Sequence, residues 1–260
     1  MLKRRLIPKL LVKRSQATGR PVVVATRGFK DAVEVGDPVS VAKVLEAQAA
    51  DEMLLLDIEA TAEGRRLPPE LLARVGEAVF MPITAGGGVS SLDDFRELLR
   101  SGADKISLNT AAVERPRLVE QASSRFGAQC VVVSIDVRRS DDGKARVFVR
   151  AGSEATALDP VAWAAECERL GAGEILVTSI DRDGSRAGLD IELMRSIVAV
   201  VRVPVVASGG CGKAHHLVEG FAQAGVDGVA AGTFFCFQDQ NIMQARAHVR
   251  NAGVPIRLQR

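Results

Sequence analysis

The chain repeats itself at a fixed spacing, and this constrains its fold more than any other feature. Pro82-Ile83-Thr84-Ala85-Gly86-Gly87-Gly88 is echoed by Pro204-Val205-Val206-Ala207-Ser208-Gly209-Gly210. Asp51-Glu52-Met53-Leu54 is echoed by Gly173-Glu174-Ile175-Leu176, and Gly102-Ala103-Asp104 with Asn109-Thr110 by Gly225-Val226-Asp227 with Gly232-Thr233. The offsets are 122, 122 and 123 (51 to 173, 82 to 204, 102 to 225), so one unit of about half the chain is used twice. Short apolar runs at residues 6–12, 53–58, 82–85, 105–108, 130–136, 174–180, 204–208 and 228–232 have strand length. Amphipathic stretches separate them. In residues 91–101, Leu92, Phe95, Leu98 and Leu99 share one helical face, and Asp159-Pro160 reads as an N-cap and first residue of a helix over 161–170. Such alternation predicts a parallel sheet. Eight units in 260 residues predict an α/β fold in one domain over residues 1–260, a single (β/α)8 TIM barrel built from two (βα)4 half-barrels. An open sheet would leave strand edges, and this length leaves no room for a second domain. Residues 13–36 and 138–158, rich in charge and glycine, read as long loops after the first and fifth strands.

Composition narrows the functions such a barrel can serve. Thirty-four Lys and Arg stand against 32 Asp and Glu, with one Trp and no Tyr, so neither a basic face nor a stacking platform for nucleic acid is expected. No apolar run approaches the roughly 20 residues that span a bilayer, and no signal-peptide core follows Lys3-Arg4-Arg5. A cytoplasmic protein is expected, with no membrane association. Cys130, Cys167, Cys211 and Cys236 lack metal or disulfide spacing and read as reduced, mostly buried thiols.

Barrel active sites lie at the C-terminal ends of the strands. Gly86-Gly87-Gly88 and Ser208-Gly209-Gly210 fall there after strands three and seven, where glycine lets backbone N–H groups approach an anion closely. Asn109-Thr110 and Gly232-Thr233 end the neighbouring strands. One anion cradle per half suits an elongated ligand with a phosphate at each end, held by Gly88, Asn109, Thr110, Asp183, Gly184, Gly210, Gly232 and Thr233. A tight turn is the plainer reading of one glycine run, and duplication at equivalent strand ends argues against it.

Asp136, ending strand five, is placed to transfer a proton, unless it only pairs with Arg138 or Arg139. Asp183 is a second candidate, and Asp57 reads as a group that orients its neighbours. His215, His216 and His248 lie within helices, so neither metal nor histidine catalysis is expected, and no cofactor. No nucleophile elbow or Cys/His constellation is present. At the opposite mouth, Arg5, Glu52, Lys105 and Glu174 precede or open strands one, two, four and six. They form either solvated, stabilising charges or a ring of two cations and two anions.

Taken together, these residues resemble the HisF family, the cyclase subunit of imidazole glycerol phosphate synthase. The likeness runs from Leu2-Lys3-Arg4-Arg5-Leu6-Ile7-Pro8 to Gly253-Val254-Pro255-Ile256-Arg257. It includes Leu56-Asp57-Ile58, Asn109-Thr110-Ala111-Ala112-Val113 and Thr178-Ser179-Ile180-Asp181-Arg182-Asp183-Gly184. The resemblance implies a HisH-like glutaminase partner on the N-terminal barrel face. Ammonia would enter past a gate formed by Arg5, Glu52, Lys105 and Glu174 and cross to a phosphorylated ligand. The family uses an Asp ending strand one and another ending strand five; Asp136 matches the second. The strand-one pattern Cys-Leu-Asp-Val-Lys is here Lys9-Leu10-Leu11-Val12-Lys13, so Leu11 replaces the first acid. The family's strand-one loop lysine has no clean match in residues 20–29, where Ala25 or Arg27 stands nearest and the loop is longer. With Phe29-Lys30 and Val35-Gly36-Asp37-Pro38, this loss is similar to HisF-like paralogues associated with sugar amidation in surface polysaccharide synthesis. Those imply a separate sugar amidotransferase as a further partner. The histidine-pathway cyclase and a noncatalytic activator of the glutaminase are the alternatives.

Overall fold

The computed structural model describes residues 3–140, 142–237 and 241–257; Leu2 of the opening motif lies outside them. Eight strands form the barrel: β1 (Arg5–Arg14), β4 (Met53–Asp57), β5 (Ile83–Gly86), β6 (Lys105–Leu108), β7 (Val131–Arg139), β10 (Glu174–Ser179), β11 (Val205–Ser208) and β12 (Gly228–Ala231). Each pairs in parallel with the next, and β12 returns to β1, so the sheet closes. The duplication persists in the register. Leu11 stands opposite Leu56 in the first half, and Asp136 opposite Thr178 in the second.

Ten helices connect the strands among the described residues: α1 (Pro38–Ala47), α2 (Pro69–Gly76), α3 (Leu92–Arg100), α4 (Thr110–Glu114), α5 (Arg117–Phe126), α6 (Pro160–Arg169), α7 (Ile191–Val198), α8 (Ala214–Glu219), α9 (Thr233–Phe237) and α10 (Ile242–Asn251). Local chemistry sets their ends. Ser91 accepts from the Asp94 amide to start α3, with Asp93 and Asp94 at the positive end of the helix dipole and Arg100 at the other. Asp159 accepts from the Val161 and Ala162 amides to start α6, where Pro160 supplies a helical φ without needing a partner for an N–H.

Residues 13–36 and 138–158 are not the plain loops their composition suggests. They carry β2 (Pro21–Arg27) with β3 (Lys30–Gly36), and β8 (Ala145–Val149) with β9 (Glu154–Ala155). β2 runs antiparallel to the extended end of β1, with Leu11 opposite Val24; β8 does the same to β7, with Asp136 opposite Phe148. Burial of Val23, Val24, Val147 and Phe148 drives this pairing against the charged residues around them.

Alternation along each barrel strand sorts the side chains. Leu6, Leu10 and Val12 face the helices in the main core. Inside the barrel, Ile7, Leu54, Val132, Leu176, Val206 and Ala230 form a separate apolar layer, with Leu56 packed on it. On β1 the inward residues are Arg5, Ile7, Lys9 and Leu11, so polar levels lie below and above that layer. No helix among the described residues is long and apolar enough to cross a membrane.

Candidate functional site

A cavity of about 350 Å³ opens at the C-terminal mouth, lined among others by Lys9, Leu11, Asp57, Gly88, Asn109, Thr110 and Asp136. A smaller space of about 20 Å³ adjoins it, lined by Lys9, Leu11, Thr26, Asp183, Gly184, Ser208, Gly210, Gly232 and Thr233. The first glycine run therefore borders an open cavity and the second a tight one. The reason is the turn between β2 and β3, which crosses the mouth. Thr26 Oγ1 donates to Asp183 Oδ2 at 2.7 Å, the Phe29 amide to the same oxygen at 3.3 Å, and the Gly28 amide to the Asp183 carbonyl at 3.0 Å.

Both runs need glycine for the same reason. Gly88 and Gly210 have φ of +67° and +98°, and a Cβ would lie 1.7 Å from the Arg65 carbonyl oxygen and 2.1 Å from that of Gly188. The amides of Gly88, Gly184 and Gly210 donate to no protein group among the described residues. They remain available as donors at the mouth. The side chains proposed to assist them are engaged elsewhere. Asn109 Nδ2 donates to the Ser134 and Phe148 carbonyls, and Thr110 Oγ1 accepts from the Arg150 amide. The Asp183 carboxylate clasps the β2–β3 turn and, being an acceptor, offers a phosphate nothing. Asn109, Thr110 and Asp183 therefore hold the backbone around the glycine runs in place, and the Gly88, Gly184 and Gly210 amides stay open toward the mouth.

Asp136 faces the open cavity. Burial pushes its carboxyl up to about 6, against the pull of the Lys9 cation and of hydrogen bonding from Ser134 and Thr178, with Asp183 adding to the rise. Neither arginine beside it is its partner. Arg138 stacks on the Phe148 ring, and Arg139 reaches Asp190 at 3.7 Å. Asp57 does orient neighbours: it pairs with Arg65 and accepts from the Glu59 and Ala60 amides at 3.0 Å each.

The four charges at the other mouth form a closed ring. Arg5 Nη1 lies 2.8 Å from Glu52 Oε2 and 2.8 Å from Glu174 Oε2; Lys105 Nζ lies 2.9 Å from Glu52 Oε1 and 3.3 Å from Glu174 Oε2. Thr84 Oγ1 donates a further bond to Glu52 at 2.9 Å. Burial alone would raise the Glu52 carboxyl, yet Lys105 and Arg5 outweigh it and hold the group below its ordinary value. For Arg5, too, burial opposes the charge, and Glu174 and Glu52 more than restore it.

Two contributors escaped the sequence reading. His216 is buried on α8, and its Nδ1 accepts from the Gly212 amide at 3.1 Å, propping the second glycine run from behind. Burial, followed by the neighbouring His215, keeps its pKa below the ordinary value, consistent with the neutral ring such an acceptor requires. His215, His216 and Glu219 bring ligand-type atoms within 4.8 Å of one another, on α8 and outside both cavity linings. Lys9 is the other: its position two residues before Leu11 gives it the same inward facing, a signal the strand period already carries.

Comparison with known proteins agrees with this architecture. The sequence pattern of the family described as "Histidine biosynthesis protein" matches residues 5–241. A protein of Prochlorococcus marinus (strain MIT 9313), provisionally named imidazole glycerol phosphate synthase subunit hisF2, is 46% identical over the full length of both chains. With its closed barrel, duplicated halves and strand-five aspartate, this chain belongs to the histidine biosynthesis protein family as a HisF-like barrel.

Proposed function

We propose that the chain is a synthase subunit that receives ammonia from a glutaminase, passes it through the barrel, and supports its transfer to a phosphorylated or sugar-nucleotide acceptor in surface polysaccharide amidation. The observation that carries this reading is the closed ring of Arg5, Glu52, Lys105 and Glu174 at the foot of an apolar barrel interior. Ammonia is small and neutral, so an apolar layer that rejects ions can pass it. The ring blocks the entrance until a partner on that face displaces a member. Gly88 and Gly210 then hold phosphate groups at the far mouth, beside Asp136.

Deleting one ring member leaves the others incompletely paired in a buried place, a cost on the order of 3–5 kcal/mol for a buried ion pair. Lys105→Ala or Glu174→Ala is expected to raise the ratio of glutamine consumed to product formed, while the ammonium-driven rate is largely kept. Measuring both rates in the reconstituted complex checks this. Equal loss of both would mean that the ring only holds the barrel together.

Docking has a candidate anchor on the same face. Phe80, before β5, is 99% exposed, and Glu46 holds its loop by accepting from the Phe80 and Met81 amides at 3.2 and 3.0 Å. A displayed aromatic of this kind is typical of binding hot spots worth about 2 kcal/mol or more. Phe80→Ala is expected to weaken association with the glutaminase by at least roughly tenfold in a titration of the two subunits. An unchanged affinity would move the docking site away from this loop.

A second reading, the cyclase subunit of imidazole glycerol phosphate synthase, is favoured by the retained glycine cradles and by the name of the Prochlorococcus relative. Leu11 weighs against it, because a leucine transfers no proton. Carbon–nitrogen bond formation in a cyclised product by the unmodified chain would decide for the cyclase. Stimulation of glutamine hydrolysis with no barrel-dependent product would decide for a noncatalytic activator.

A further inference from the structure

Lys9 is 6% exposed and lines both cavities at the mouth. Among the described residues its ammonium makes no hydrogen bond and no ion pair, although Asp136 is near enough to feel its charge. Of the other acids nearby, Asp57 is paired with Arg65, whereas Asp183 accepts from neutral donors, the Thr26 hydroxyl and the Phe29 amide. Two strand residues span roughly 6.6 Å, about the length of a lysine stem, so the ammonium can reach the level of Leu11 from below. A second polar group there also lacks a partner: the buried Ser208 hydroxyl, which borders the smaller cavity with Lys9.

A buried cation is costly unless a counter-charge meets it. Asp136, with its carboxyl lifted by burial, is a weak one. We propose that Lys9 forms an anion subsite on the barrel axis, between the two glycine cradles, that takes the carboxylate of a phosphorylated ligand. The proposal deepens the reading of the mouth as a phosphorylated-ligand site and rests on it for the ligand's phosphate, while the carboxylate contact is Lys9's own. At this level the site offers an ammonium where a strand-one acid would have offered a second carboxylate, so the ligand it selects carries negative charge at its centre as well as at its ends.

Four probes on the full chain test this by calorimetric titration: 3-phosphoglycerate, glycerol 3-phosphate, malonate and inorganic phosphate. The first two differ chiefly in a carboxylate against a hydroxymethyl group. The unmodified chain is expected to bind 3-phosphoglycerate at least tenfold tighter than glycerol 3-phosphate and to bind malonate. Lys9→Met is expected to lose both the preference and malonate binding, with a Tm equal to or above that of the unmodified chain. No preference in the unmodified chain, the same preference in Lys9→Met, or a Tm lowered by several degrees would overturn the proposal; the last would reveal a structural partner for Lys9. If inorganic phosphate fails to bind while malonate binding still depends on Lys9, the cradles fall and the Lys9 subsite stands.

Discussion

Supplied with excess ammonium and the ribulosyl phosphate substrate of HisF cyclases, the unmodified chain is expected to cyclise it about 10² to 10⁴ times more slowly than a barrel with both acids, the usual cost of a lost proton-transfer group. The structural reason lies in the register. Leu11 occupies the inward strand-one position where the resemblance to HisF implies an acid, and its half-barrel counterpart is Asp136. With one proton-transfer group gone and a cation two residues below it, Asp136 would have to serve as both acid and base. Leu11→Asp is expected to recover part of the deficit, because Lys9 would keep the new carboxylate ionised. Chromatographic measurement of product over time for both proteins checks this, and ordinary turnover by the unmodified chain would return the cyclase reading to first place.

The second large effect concerns Asp136 and pH. Its carboxyl stands near 6 in the fold against an ordinary 3.8, so between those values the native state holds a proton that the unfolded chain has released. Stability therefore falls as pH rises from about 4 to about 6, and above that window the full cost of burying the carboxylate is present. Two pKa units correspond to about 3 kcal/mol. Asp136→Asn carries no such charge, so its Tm relative to the unmodified chain is expected to improve by roughly 6–12 °C between pH 4 and pH 8. Thermal melts of both proteins at the two pH values read the difference directly. A gap that does not change with pH would show that Asp136 is already ionised, or already protonated, throughout.

Much of this architecture is legible in the sequence because period and punctuation agree. The β-rich runs at 82–85 and 204–208 stop at glycine runs, and Ser91 and Asp159 mark where helices start. The four ring charges are legible for the same reason, since residues at equivalent strand starts must meet around a closed barrel. The hairpins were not. Pro21-Val22-Val23-Val24 has strand character, but the charges of residues 13–36 mask it, and only the extended end of β1 supplies its partner. Side-chain commitments were hidden as well. Asn109 and Thr110 look like ligand donors until the carbonyls of Ser134 and Phe148 and the amide of Arg150 arrive from distant positions to occupy them.

The apolar layer inside the barrel also acts as electrical insulation. Ile7, Leu54, Val132, Leu176, Val206 and Ala230 offer no side-chain hydrogen-bonding group, so a proton cannot hop from Glu52 or Glu174 below to Asp136 above through a wire of side chains. The ring at the foot and Asp136 at the mouth therefore exchange protons with the solvent rather than with each other. One apolar layer between two polar levels is thus enough to keep the proton traffic of the mouth apart from the charges at the foot.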